Sequence, residues 1–171
     1  MADKRSRNFS FVLFNDDQLY NEQIDIVKEN NTCWIVHNND YDVETGEIIK
    51  AHTHVIVKFN DAKTCLAVAK YFHLYDINGK PVAGKVTLLN KEKRHNLEGA
   101  FRYLIHLENP EKHLYSIEEI HGRLKGEALE VIDKADGLTS EKKLCVLFDY
   151  ISDYDGFLSF TDVMRYARDN N

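Results

Sequence analysis

The stretch Ile48-Ile49-Lys50-Ala51-His52-Thr53-His54-Val55-Ile56-Val57-Lys58-Phe59 decides the fold. β-Branched and aromatic residues dominate it, neither Gly nor Pro interrupts it, and successive side chains of a strand point to opposite faces. The spacing predicts a strand over 48–59 with His52, His54 and Ile56 on one face and Thr53, Val55, Val57 and Phe59 on the other. Upstream, Thr32 to Asn38 predicts a second strand in which Cys33, Ile35 and His37 share a face. The polar run from Asn38 to Glu47, containing Thr45-Gly46, has the composition of an extended hairpin loop joining the two.

Working outward, Arg7 to Phe14 alternates like a strand, and Asp16-Asp17 precedes an amphipathic helix with Leu19, Ile24 and Val27 on one side, ending near Asn30-Asn31. Apolar residues at Ala62, Cys65, Leu66, Ala69 and Phe72 predict a helix over 61–73. A turn around Asn78-Gly79 leads into a short strand over 86–89. Leu97, Phe101, Leu104 and Ile105 form the core stripe of a helix over 97–108, stopped by Asn109-Pro110. Beyond a mixed region the chain is helical, with Thr139-Ser140 as a cap, Gly156 as a stop and Ser159 with Asp162 opening a last short helix. Strands mixed with helices, then helices alone, predict an α+β domain over residues 1–130 and a small helical segment over 131–171.

Composition bounds the function. The chain has 171 residues, is 43% hydrophobic, and contains only 2 Pro and 8 Gly, enough apolar material for a real core and too little Pro and Gly for a disordered or collagen-like chain. No apolar run approaches the roughly 20 residues of a membrane helix, and the N-terminus lacks the layout of a secretory signal, so a soluble, cytoplasmic protein without a membrane partner is expected. Cys33, Cys65 and Cys145 are odd in number and set in apolar stretches, which suits buried small hydrophobes better than a disulfide framework. A net charge of −6 argues at first against a nucleic-acid partner. Residues 80–106, however, carry six basic and two acidic side chains, a local basic island that taken alone suits an ordinary solvated face.

The chemistry concentrates in the first-quoted strand. Two histidines at i and i+2 on one face can hold one metal ion, and pairing with the preceding strand would add His37 and Asp40. A lone His-x-His is a weak signal, and the two neighbours strengthen it. Such a His/Asp set suits Mn²⁺ or Mg²⁺ in a partly open site better than structural zinc. Tyr103 lies roughly 145° around its helix from the core stripe, so the core does not require it.

The segments His37-Asn38-Asn39-Asp40, Ala51-His52-Thr53-His54-Val55-Ile56-Val57 and Gly99-Ala100-Phe101-Arg102-Tyr103-Leu104-Ile105-His106, with Asn109-Pro110-Glu111-Lys112, occur in this order. Together they resemble the rolling-circle plasmid replication initiators of Gram-positive bacteria, Rep proteins of the HUH endonuclease superfamily, over roughly residues 7–125. Thr53 stands where the superfamily prefers a bulky apolar residue. The resemblance implies a central antiparallel sheet flanked by helices and an enzyme that nicks and rejoins one DNA strand through a 5′-phosphotyrosine, leaving a 3′-OH primer. It further implies that His37, Asp40, His52 and His54 hold the metal and that Tyr103 is the nucleophile. Tyr115 lies 12 residues on and not on the next turn of the same helix, so a single-tyrosine enzyme is expected, with Tyr115 the next to test if Tyr103 is not the nucleophile. The implied partner is single-stranded or hairpin-extruded plasmid origin DNA, for which Lys85, Lys91, Lys93 and Arg94 are the candidate backbone contacts. Host replication machinery and a homo-oligomer formed through residues 131–171 follow from the same likeness. A relaxase or transposase of the superfamily, or a non-catalytic nucleic-acid-binding module, are the alternatives.

Overall fold

In the computed structural model the described residues are 4–42, 44–90, 95–109 and 111–135. They form strands β1 (Arg5–Phe14), β2 (Thr32–His37), β3 (His52–Thr64) and β4 (Val86–Leu89), and helices α1 (Tyr20–Glu29), α2 (Cys65–Tyr71), α3 (Leu97–Leu104) and α4 (Lys125–Ala135). The strands make one antiparallel sheet in the order β2-β3-β1-β4, the α+β arrangement that the sequence predicts. β3 is therefore an interior strand, paired along both edges.

The pleat of the sheet separates two cores. On one face Phe9, Phe11 and Leu13 of β1 and Val55 and Val57 of β3 pack with Ile24 and Val27 of α1, Val68 and Ala69 of α2, and Phe72 just past its end. On the other, Cys33, Ile35 and Ile56 meet Phe101 and Leu104 of α3 and Ala128 and Ile132 of α4. His52 and His54 have the same pleat parity as Ile56, so they emerge on the α3 face. Thr53 points the other way and is fully buried; its hydroxyl donates to Asn15 Oδ1 at 3.0 Å and lies 2.9 Å from the Tyr20 hydroxyl. Those two partners satisfy the polar atom that a bulky apolar residue would lack.

Four boundaries differ from expectation by more than two residues. β3 begins at His52, because Asp42 N donates to Glu47 O and Ile49 N to Asp40 O, making a separate loop that leaves Ile48 82% exposed. β3 also runs on to Thr64, since Arg5 and Ser6 of β1 pair with Thr64 and Lys63 beyond a bulge. α2 consequently starts late, capped by Thr64 Oγ1, which accepts from Ala67 N. α3 ends early: Leu107 N donates to Arg102 O and His106 N to Tyr103 O, closing the helix through His106 at φ 58°. This helix-ending turn usually carries glycine, and His106 occupies the left-handed region instead. Cys33 is buried, and burial pushes its thiol up to about 12; Cys65 is only half-buried. Cys145 and the expected helices beyond residue 135 lie outside the described residues. Among the described residues no helix is long and apolar enough to cross a membrane.

Candidate functional site

The register of β2 on β3 sets His37 directly opposite His52 and Ile35 opposite His54. The His37 ring lies 4.5 Å from His54 and 5.5 Å from His52, centroid to centroid, and one nitrogen from each of the three rings falls within 4.8 Å of the others. Asp40, three residues past His37 on the loop that leaves β2, is buried, with Oδ2 3.3 Å from His37 Nδ1 and 3.7 Å from His52 Nε2. The four side chains predicted to hold a metal are thus brought together.

Hydrogen bonds to backbone carbonyls fix which nitrogen is bare on His37 and on His52. His37 Nε2 donates to the Leu104 carbonyl at 2.7 Å, a carbonyl that the early end of α3 leaves without a helical partner. His37 Nδ1 therefore presents a lone pair, is buried, and has no hydrogen-bond partner among the described residues, although a carboxylate oxygen faces it. His52 Nδ1 donates to Lys50 O at 2.8 Å, which leaves its Nε2 lone pair 3.1 Å from His54 Nε2. Burial pushes His37 down to about 4, against the opposing pull of its bond to Leu104 and of Asp40. Burial, aided by His37 and His52, also holds His54 well below its usual value. Neutral imidazoles with bare nitrogens around a carboxylate oxygen are a cation-binding arrangement, and a divalent ion would relieve the unpaired lone pair at His37 Nδ1.

Behind Asp40 stands Tyr115, 2% exposed. Its hydroxyl donates to Asp40 Oδ1 at 3.0 Å and accepts from Asn39 N at 2.9 Å, while its ring stacks on His37 at 4.2 Å. Burial raises its phenol to about 12. Tyr115 is therefore a strut that orients Asp40 and His37, which corrects its place as the next nucleophile to test: it is buried and its oxygen is already engaged. His106, delivered by the turn that ends α3, packs 4.5 Å from His37; its Nδ1 donates to His113 O at 2.8 Å and its buried Nε2 has no partner among the described residues. Tyr115 in this supporting role, and His106, escaped the sequence reading, because neither a tyrosine nor a histidine in an apolar context carries a periodic signal.

Tyr103, 37% exposed, reaches the open side of the cluster. Its ring stands edge-on to His54 at 5.4 Å and to His106 at 5.0 Å, and its hydroxyl accepts from Lys112 Nζ at 2.9 Å. From this point a cleft of about 830 Å³ runs over the sheet between α3 and the β1 and β4 strands, with Ser10, Val12, Thr87, Gly99, His54 and Tyr103 among its walls. Lys85 lines the cleft too, but its ammonium donates to Tyr75 O at 2.7 Å. Lys91, Lys93 and Arg94 lie outside the described residues; on either side of them, Asn90 N donates to His95 O at 2.9 Å, and His95 lines the cleft. Arg102, the last cation of the basic island, pairs with Glu108 at 2.6 Å.

Comparison with known proteins places this geometry in context. Residues 1–127 match the family described as plasmid replication protein, origin binding domain. A replication protein from Staphylococcus aureus is 25% identical over 168 residues, a span covering 95% of this chain and 76% of the relative.

Proposed function

The chain belongs to the plasmid replication proteins that carry an origin-binding domain, and on that premise we propose that it initiates rolling-circle replication by cutting one strand of unpaired origin DNA at Tyr103. The observation that carries this reading is the convergence of Tyr103 on the imidazole cluster at the mouth of the cleft, 5.4 Å from His54. A half-exposed phenol oxygen beside a cation-binding set is what attack on a phosphodiester requires, and nothing in the core requires a tyrosine there.

His37 through Nδ1, His52 and His54 through Nε2, and Asp40 through Oδ2 are the atoms that would hold a divalent cation. Three imidazoles among four ligands favour Mn²⁺ over Mg²⁺, which prefers oxygen. When bound, the ion polarises a non-bridging oxygen of the scissile phosphate and offsets charge that develops during in-line displacement. Tyr115 and Leu104 hold Asp40 and His37 in orientation through their hydrogen bonds, the supporting shell such a site needs. Tyr103 Oη bonds to phosphorus as the bond to the 3′-oxygen breaks, and the phenolic proton ends on that departing oxygen. The products are a 5′-phosphotyrosine and a free 3′-OH that host machinery can extend, and reversal rejoins the strand. A phosphate stacked within duplex cannot reach Tyr103 in line, so the cleft receives a single strand or an extruded hairpin.

The test is incubation of the chain with a single-stranded origin oligonucleotide and Mn²⁺, followed by denaturing electrophoresis. A covalent adduct is expected for the natural sequence and none for Tyr103→Phe, with oligonucleotide affinity retained. Binding without any adduct would overturn the nuclease reading in favour of a non-catalytic origin-binding module.

A further inference from the structure

Lys112 follows Tyr103 by nine residues, yet it returns to the same hydroxyl. After the helix-ending turn at His106, Asn109 N donates to His106 O and Lys112 N to Asn109 O, bending the chain back over the end of α3. The return is fastened from two sides: Tyr41 Oη donates to Glu111 O at 2.8 Å, and Tyr115 N donates to Ile105 O at 3.3 Å. Lys112 is half-buried as a result, with its ammonium 2.9 Å from Tyr103 Oη and 5.1 Å from the ring centroid. Among the described residues it has no carboxylate partner.

A lysine resting on a surface tyrosine is ordinary, and three features set this one apart. The loop that carries it is tied to two other parts of the fold. The tyrosine ring is already held edge-on by His54 and His106, so Lys112 governs what remains free, the direction of Oη. The ammonium also stands on the open side of the imidazole cluster, against the ring that His54 and His106 hold. The anions that arrive there in strand transfer are the phosphate and the tyrosine oxygen, and an ammonium already in place can meet both.

We propose that Lys112 is the positioning residue for strand transfer, holding Tyr103 Oη in line and remaining beside it as the counter-charge in both cutting and joining; this rests on Tyr103 being the nucleophile. In cutting, the Oη–P bond forms, the bond from P to the 3′-oxygen breaks, and the phenolic proton passes to the 3′-oxygen. In joining, the 3′-OH attacks, the P–Oη bond breaks, and its proton returns to the phenol oxygen. Lys112 keeps its own three protons throughout. Its loss therefore slows both directions equally and leaves the ratio of cut to joined strand unchanged.

The experiment is single-turnover cutting and joining of a single-stranded origin oligonucleotide by the full chain with Mn²⁺. Lys112→Met is expected to lower both rate constants about 10- to 100-fold, the scale for removing one donor from a developing oxyanion. Oligonucleotide Kd should change by less than about threefold, one phosphate contact at most. Calorimetric Mn²⁺ binding should be unaffected, and Lys112→Arg should recover most of the rate. Natural rates in Lys112→Met would overturn the proposal. A loss confined to Kd would make Lys112 a DNA contact instead, and an arginine variant as slow as the methionine one would make its role structural. Absence of an adduct from the natural sequence, or its persistence in Tyr103→Phe, would overturn the nucleophile reading itself and this inference with it.

Discussion

On β1, Phe9, Phe11 and Leu13 are sealed beneath α1 and α2, whereas Ser10, Val12 and Phe14, the alternate side chains of the same strand, remain half-exposed or exposed. The difference lies in what covers each face. The α1 and α2 side is closed by a large apolar cluster, and its buried polar side chains Thr53 and Gln23 are both hydrogen-bonded. On the other side the buried cluster draws on β2, β3 and the end of β4, while β1 contributes nothing to it and lines the cleft instead. At the border between the covered and open parts of that face stand His37, His52, His54 and Asp40, with a buried lone pair that no group among the described residues satisfies. One face supplies stability through dry packing. The other holds polar groups in an arrangement that an apolar core would not tolerate, and the closed face offsets its cost.

The sharpest way to break this comparison is one truncation on each face. Phe72→Ala removes a fully buried ring lying 4.7 Å from Phe11 and should cost about 3–5 kcal/mol in urea denaturation of the metal-free chain. His54→Ala should cost about 1 kcal/mol or less while abolishing calorimetric Mn²⁺ binding. A His54 variant as unstable as the Phe72 variant would mean that the imidazole face is structural.

Acidification sharpens the comparison further. His37 titrates near 4 when folded and near its ordinary value of 6.5 when unfolded, so the unfolded chain binds more protons between those values. Stability of the metal-free protein should therefore be fully present above about pH 6.5 and decline as pH falls toward 4, by up to about 3 kcal/mol from this group. His54 and His106 are shifted in the same direction by burial. Denaturation curves at pH 7 and pH 4 measure the loss, and His37→Gln, which keeps a donor toward Leu104 O, should flatten it. Equal stability at both pH values would show that the cluster is not desolvated.

The smallest effect tests the strut. Tyr115→Phe leaves Asn39 N and Asp40 Oδ1 without their shared partner, for a cost of about 1 kcal/mol in folding and roughly tenfold in Mn²⁺ affinity. Unchanged affinity by calorimetry would show that Asp40 is held well enough by the chain around it.

By itself the sequence determined the local alternations: that His52 and His54 share a face, that Cys33, Ile35 and His37 share another strand's face, and that Phe101 and Leu104 point into a core while Tyr103 does not. These follow from the two-residue and 3.6-residue periods, which neighbouring residues set among themselves. The register that sets His37 opposite His52, the removal of Ile48 from β3, the extension of β3 to Thr64 and the end of α3 at a left-handed histidine were decided only by tertiary structure. Each depends on a partner distant in sequence or on a conformation that residue type alone does not announce. The same holds for the chemistry. Residue types nominated the imidazoles, but the bare nitrogen on His37 and the strut at Tyr115 exist because carbonyls and hydroxyls from remote segments meet where water has been excluded, and desolvation is a property of the assembled fold rather than of any stretch of chain.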